Sequence, residues 1–216
     1  MGDPVHPRDH RRCGRPADRR VRTLSRQPSQ QRGIDRRAAV IDGARQLLAT
    51  TGPTAISARA VAAAAGVPLS AVSYYFESLD EIVALAATDL VAEWLQHGRD
   101  VTDALSTIQT PDPAATLVDA LLPPGDDEAI RTRYEHLVAA GRVPAVAQAL
   151  AGLRPQLLEL IDEIRNTLGM GTGLSATTVL SAVDGAAVGA ISEGRSGLRT
   201  IVIDELGLLL AEQRRR

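Results

Sequence analysis

The stretch from Ser57 to Ile82, SARAVAAAAGVPLSAVSYYFESLDEI, most narrows what this chain can fold into. Ser57 is placed to cap a short helix, its hydroxyl accepting from a free backbone N–H of the first turn. Val61, Ala62 and Ala65 recur at helical spacing, giving an apolar face small enough for close packing. Gly66 falls where the helix end calls for a left-handed residue, which glycine reaches at little steric cost. Val67 plugs the turn, and Pro68 suits the first turn of a following helix, where its missing N–H would have no intrahelical partner. Leu69 to Tyr75 is that second helix, with Val72 and Phe76 turned inward. Helix, glycine turn of about three residues, helix is the helix-turn-helix layout, whose second helix enters the DNA major groove.

Val61-Ala62, then Ala65-Gly66-Val67, then Tyr74-Tyr75-Phe76 and Ile82 together resemble the signature of the tetracycline-repressor (TetR) family of bacterial transcription regulators. The resemblance runs from Ile34 to Ala87. Where the family commonly has Ser, Gly, Tyr, His and Lys, this sequence has Pro68, Ser70, Ser73, Tyr75 and Leu79. The family's Tyr and Lys are usual phosphate contacts, so the backbone is gripped differently here. Tyr74 could replace the first, but from a direction about 100° away around the helix. By resemblance, the DNA-contacting positions are Arg59, Pro68, Leu69, Ser70, Ala71, Ser73, Tyr74 and Tyr75. Leu69 and Ala71 suit thymine methyls, and Ser70 and Ser73 can hydrogen-bond to several bases or to phosphate. Arg59 fits the O6 and N7 of a guanine, and equally a phosphate or a solvated charge.

The chain's 216 residues suffice for one or two domains with a sizeable core. Aromatics are only 2% of the chain and three of the five lie at Tyr74, Tyr75 and Phe76, so the core is aliphatic. Charge is unevenly spread. Residues 1–45 hold 12 Arg and 5 Asp, whereas residues 46–213 hold 9 Arg and 21 acidic residues. A basic front on an acidic body suits a protein whose front meets a polyanion. Cys13 is the sole cysteine, which excludes an intramolecular disulfide and points to a reducing compartment. No apolar run reaches membrane-spanning length, and the Arg-rich start lacks the apolar stretch of a secretory leader. A cytoplasmic protein without a membrane partner is expected.

Residues 1–32, rich in Arg, Pro, Gln and Ser, are expected to form a disordered basic arm. The arm is either a solvated tail or a segment that touches DNA. Residues 33–80 are expected to form the three-helix DNA-binding domain. Its first helix, Ile34 to Thr51, has Ile34, Ala38, Ile41, Ala44, Leu47 and Leu48 on one face. Residues 81–213 are expected to form an all-α ligand-binding and dimerisation domain. Ser78 and Glu81 form a capping box for its connector helix. Asp127 to Ala140 reads as a helix with Ile130, Tyr134, Leu137 and Val138 inward. Pro144 to about Leu168 reads as a long helix, with a kink expected at Pro155. Gly169 to Gly173 reads as a loop. Ala182, Ala186 and Ala190 form a small-residue stripe, which suits either an intramolecular seam or an interface. By resemblance, the last two helices pair with their copies, placing Ala182, Ala186, Ala190, Leu206 and Leu210 in a homodimer interface.

No catalytic motif is present: there is no G-x-S-x-G, H-E-x-x-H or Ser-x-x-Lys. His6, His10 and Cys13 have metal-ligand spacing but sit in the arm, so no metal site and no cofactor are expected. A small-molecule effector is implied by the resemblance. Trp94, His97, Tyr134 and His136 are its candidate contacts, combining apolar bodies with polar tips. The expectation is a homodimeric repressor of a palindromic double-stranded DNA operator, released by a ligand. Its rivals are a ligand-independent architectural DNA-binding protein and an all-helical enzyme with a vestigial head.

Overall fold

The computed structural model describes residues 28–105, 111–171 and 173–213, together with Gly2. The described residues form nine α-helices and no strand. The head comprises α1 (Pro28–Thr50), a short 3-10 turn (Pro53–Ala55), α2 (Ala58–Ala64) and α3 (Leu69–Tyr75). The remaining helices are α4 (Leu79–Ala104), α5 (Pro113–Leu121), α6 (Asp127–Ala140), α7 (Pro144–Thr167), α8 (Ala176–Ser192) and α9 (Leu198–Gln213).

Local chemistry explains most of these ends. Ser57 caps α2, its hydroxyl accepting from the Ala60 N–H at 3.2 Å. Gly66 has φ +64°, and the Val67 N–H reaches back to the Ala62 carbonyl at 3.0 Å. That pair closes α2 with a Schellman turn and swings the chain into α3. Ser78 caps α4 by accepting from the Glu81 N–H at 3.1 Å. The Glu81 carboxylate returns the bond to the N–H of Glu77, one residue before the cap. Asp126 caps α6 from its Oδ1, which accepts the Ala129 N–H at 3.1 Å. The next residue, Asp127, reaches across the fold instead. Its carboxylate accepts the Gly197 and Leu198 N–H groups at 2.6 and 2.8 Å, holding the start of α9 against α6.

Three buried clusters share the packing. The head cluster joins Val40, Ala44 and Leu48 of α1 to Val61, Ala62, Val72 and Phe76. It continues into Ile82, Val83, Ala86 and Ala87 of α4, and takes in Ala140 of α6 and Val146 of α7. A small cluster of Val91, Leu95 and Leu153 follows along α4. The largest, around Ile130, Ile161, Ile164, Leu198 and Leu206, holds the body together. The 26 residues of α4, about 39 Å of helix, run past all three, packing on α1 at one end and along α7. Arg45 ties α1 to α4 through an ion pair with Glu93 at 2.7 Å.

Several expectations need correction. α1 begins at Pro28, so residues 28–32 of the expected arm are helical. The rest of the arm, with His6, His10 and Cys13, lies outside the described residues apart from Gly2. The buried face of α1 is Val40, Gly43, Ala44 and Leu48, while Ile34 and Ala38 face solvent. Val138 does not point inward and is 75% exposed. As expected, Pro155 lies inside α7, whose start is preset by Pro144 in the first turn.

Candidate DNA-reading head and ligand cavity

α3 is held from beneath by Val72 and Phe76, both in the head core. That anchoring turns Leu69, Ser70, Ser73 and Tyr74 outward, with Pro68 exposed at the helix start. Tyr74 is 80% exposed and stands edge-on to Tyr75, ring centroids 4.9 Å apart. Tyr75 and Ala71 are half-buried, and Tyr75 packs against the head core. Arg59, on α2, is exposed and is the only charged residue between Ser57 and Phe76. The outward surface of α2 and α3 therefore carries hydroxyls, a leucine and one guanidinium, with no carboxylate to repel phosphate.

A cavity of about 530 Å³ lies where the head meets the body. Leu48, Ala49 and Thr50 of α1 and Pro53 of the 3-10 turn form one wall. Leu90, Val91 and Trp94 of α4, the inner face of α6, and Val146 and Leu150 of α7 form the others. Residues Ala129, Arg133, His136, Leu137 and Ala140 recur on α6 at helical spacing, which brings them to the same side. The His136 ring fills the space beside Gly52: a β-carbon there would fall 2.7 Å from His136 Cδ2. Gly52 has φ +83°, so α6 abuts the backbone bend that leads from α1 into α2.

A second cavity of about 330 Å³ shares Trp94, Arg133, Leu137 and Leu150 with the first and extends to Tyr134, Arg154 and Asp184. Trp94 and Arg133 form the partition, the guanidinium carbon lying 3.6 Å from the ring centroid. Burial lowers the Arg133 pKa to about 10, leaving it charged at neutral pH. Tyr134 donates its hydroxyl hydrogen to Asp184 Oδ1 at 3.0 Å. Burial, reinforced by the neighbouring carboxylate, pushes the Tyr134 phenol well above its usual range, so it stays a donor. Burial also pushes Asp184 upward, against the opposing pull of the Tyr134 hydrogen bond, Arg154 and Arg133.

Two family models match this chain. Residues 40–86 match bacterial regulatory proteins of the tetR family, and residues 109–212 match the tetracyclin repressor-like C-terminal domain. The chain belongs to the TetR family. It is a DNA-binding transcriptional regulator with an N-terminal helix-turn-helix head and an all-helical C-terminal domain. No curated protein matches it over the sequence. Among solved structures, the multidrug binding protein EbrR in complex with imidazole is 25% identical, with a TM-score of 0.58 over 81% of this chain and 94% of that one. A transcriptional regulator from Rhodococcus sp. Rha1 is 26% identical, with a TM-score of 0.59 over 83% and 96% of the two chains. A TetR-family member from Streptomyces coelicolor A3, 24% identical with a TM-score of 0.52, covers 81% of this chain with 97% of its own and shares the fold.

In this TetR-family chain, Trp94, Tyr134 and His136 line the cavities. His97 does not. Its Nε2 lies 2.9 Å from the Asp119 carbonyl, linking α4 to α5. Ala186, Ala190, Leu206 and Leu210 are buried in the chain's own core, Leu206 to 1% exposure, and Ala182 is half-buried against them. Within the single chain these residues pack between α8, α9 and the rest of the body core. The outward apolar residues of α8 and α9 are Val188 and Leu208, at 45% and 68% exposure. Arg133 escaped the sequence reading, which sought apolar bodies with polar tips. The available signal was its spacing: Arg133, His136, Leu137 and Ala140 repeat at i, i+3, i+4 and i+7.

Proposed function

We propose that this TetR-family regulator is a cytoplasmic homodimeric repressor that grips a palindromic operator through α3 and leaves it when a small molecule fills the cavity. One observation carries this reading: the larger cavity is walled by α1 and the 3-10 turn of the head as well as by α4, α6 and α7. A ligand there touches the element that supports α3 and the element that connects it to the body. Two heads in successive major grooves must sit about 34–36 Å apart. A ligand that prefers another arrangement of α1 and α4 disfavours the DNA-bound state by its difference in affinity for the two.

Base reading is assigned to Leu69, Ser70, Ala71, Ser73 and Tyr74 with Arg59, and backbone support to Pro68 and Tyr75. The dimer is assigned to the outward faces of α8 and α9, through Val188 and Leu208. Sequencing the genomic fragments retained by purified protein should return a palindrome with half-sites about 10 base pairs apart, centre to centre. Cell extract should release it. Retention of DNA without any shared sequence would instead support an architectural role. Arg59→Ala is expected to weaken the operator complex by about 1–3 kcal/mol, with relaxed preference at a single guanine. Competition among operators altered one base at a time checks this, and an equal loss on every sequence would move Arg59 to a phosphate.

A further inference from the structure

Arg133 is in an unusual position for a guanidinium. It stands between two cavities, 3.6 Å from the Trp94 ring centroid, in a region walled largely by Leu, Val and Ala. No hydrogen bond or ion pair joins it to another described residue. Arg133 is half-buried and its unpartnered nitrogens keep some accessible surface, and a charge drawn partly out of water is costly unless something opposite meets it. The π-face of Trp94 meets part of that need, but it accepts none of the five N–H donors in the guanidinium plane.

The surrounding charges do not supply the partner. Asp184 is the carboxylate whose charge acts on Arg133, and it is engaged by the Tyr134 hydroxyl at 3.0 Å. Arg154, which also lines this cavity, is exposed and brings a positive charge, not a partner. Asp126 and Glu128 are exposed at the rim, and Asp126 spends its carboxylate on the start of α6. With the exposed residues set aside, Arg133 and Asp184 are the charged groups of the inner chamber, and the Asp184 carboxylate already accepts the Tyr134 hydroxyl. A planar fork of donors held over an indole matches the two oxygens of a carboxylate.

We propose that the cavity takes an apolar molecule bearing a single carboxylate, its chain or ring among the aliphatic walls and its two oxygens on Arg133. This rests on the reading of the cavity as the effector site and names the effector's chemical class. A lipophilic cation is disfavoured, because it would set its charge against Arg133.

The chain has one tryptophan, Trp94, so its fluorescence reports this spot directly. The full chain, free of DNA, is titrated with decanoate and 4-phenylbutyrate, each beside its amide, and with decyltrimethylammonium, all below micelle-forming concentrations. At least one acid is expected to shift Trp94 emission and to bind about tenfold or more tightly than its amide, the usual margin for a charge-assisted hydrogen bond. In Arg133→Met, which keeps volume and drops the charge, that margin should vanish while the amide still binds. Unchanged amide binding and an unchanged helical circular dichroism spectrum show that the cavity survives the substitution. Arg133→Lys should keep part of the margin. The proposal is overturned if neither acid perturbs Trp94, if acid and amide bind alike to the native chain, if the cation binds best, or if Arg133→Met keeps the margin. Operator release is measured separately. Acid binding without release upholds the ligand class and overturns the effector reading, whereas release by the amide or the cation alone does the reverse.

Discussion

Gly43→Val is expected to disable the DNA-reading head, while Gly152→Ala is expected to make the same chain more stable. Both glycines lie inside helices, and their surroundings decide the opposite signs. A β-carbon at Gly43 would fall 2.8 Å from the backbone nitrogen of Ala65 and 3.2 Å from Ala64 C. These are backbone atoms at the end of α2, immediately before the turn that sets α3, and no rotamer change relieves them. Overpacking of this kind costs about 1–3 kcal/mol, and the valine methyls add to the crowding. The gain from replacing a helical glycine offsets only part of it, since valine is a weaker helix former than alanine. A net loss of about 2–3 kcal/mol and a melting point lower by roughly 4–12 °C are expected. DNA retention should fall further than stability alone requires, because α3 is displaced from α1. Gly152 has nothing within 4 Å of its β-carbon position, so alanine there should add about 1 kcal/mol. Thermal melts followed by circular dichroism, with gel retention of the operator, check both. A Gly43→Val protein that melts and binds like the native chain would mean that α1 and the α2–α3 turn are not in close contact.

The contrast between these glycines also marks what the sequence could reveal. The turn at Gly66 was legible because a positive φ and a Schellman closure have few solutions, and the flanking Ser57, Val67 and Val72 agree with it. Asp126 and Ser175, and the prolines 113 and 144, mark helix starts by the same local chemistry. Burial faces were less legible wherever alanine is common. In α1, Ile34, Ala38 and Ile41 offer a plausible stripe, yet the core selects Val40, Gly43 and Ala44, because Gly43 admits the α2 end more closely than any side chain allows. In α8, alanine occupies so many positions that spacing alone does not say which side meets the chain's own α9. Arg133 shows the deeper limit. Its helical register with His136 and Leu137 was readable, but the cavity it faces needs α4 and α7, which are distant in sequence.

The α8 assignment leads to the second large effect. Val188→Arg is expected to leave each chain folded, to yield monomers in light scattering, and to lower operator affinity by about 10²–10⁴-fold. Val188 is 45% exposed in the single chain, so an arginine there reaches solvent without disturbing the core. In a two-fold dimer the same patch meets its copy, so each protomer would bring an unpaired charge into the seam from both sides. Without the link between two heads, the second half-site is no longer bound at the high effective concentration that a dimer provides. Leu208→Arg, at 68% exposure on α9, should act in the same direction. Ala190→Arg supplies the contrast. Ala190 is only 2% exposed within the chain's own core, so its replacement should unfold the body rather than separate intact copies. A Val188→Arg protein that remains dimeric and binds the operator normally would place the interface elsewhere. A folded, monomeric Ala190→Arg protein would return it to the alanine stripe. The two substitutions lie two residues apart on one helix, and only the face they occupy separates their outcomes.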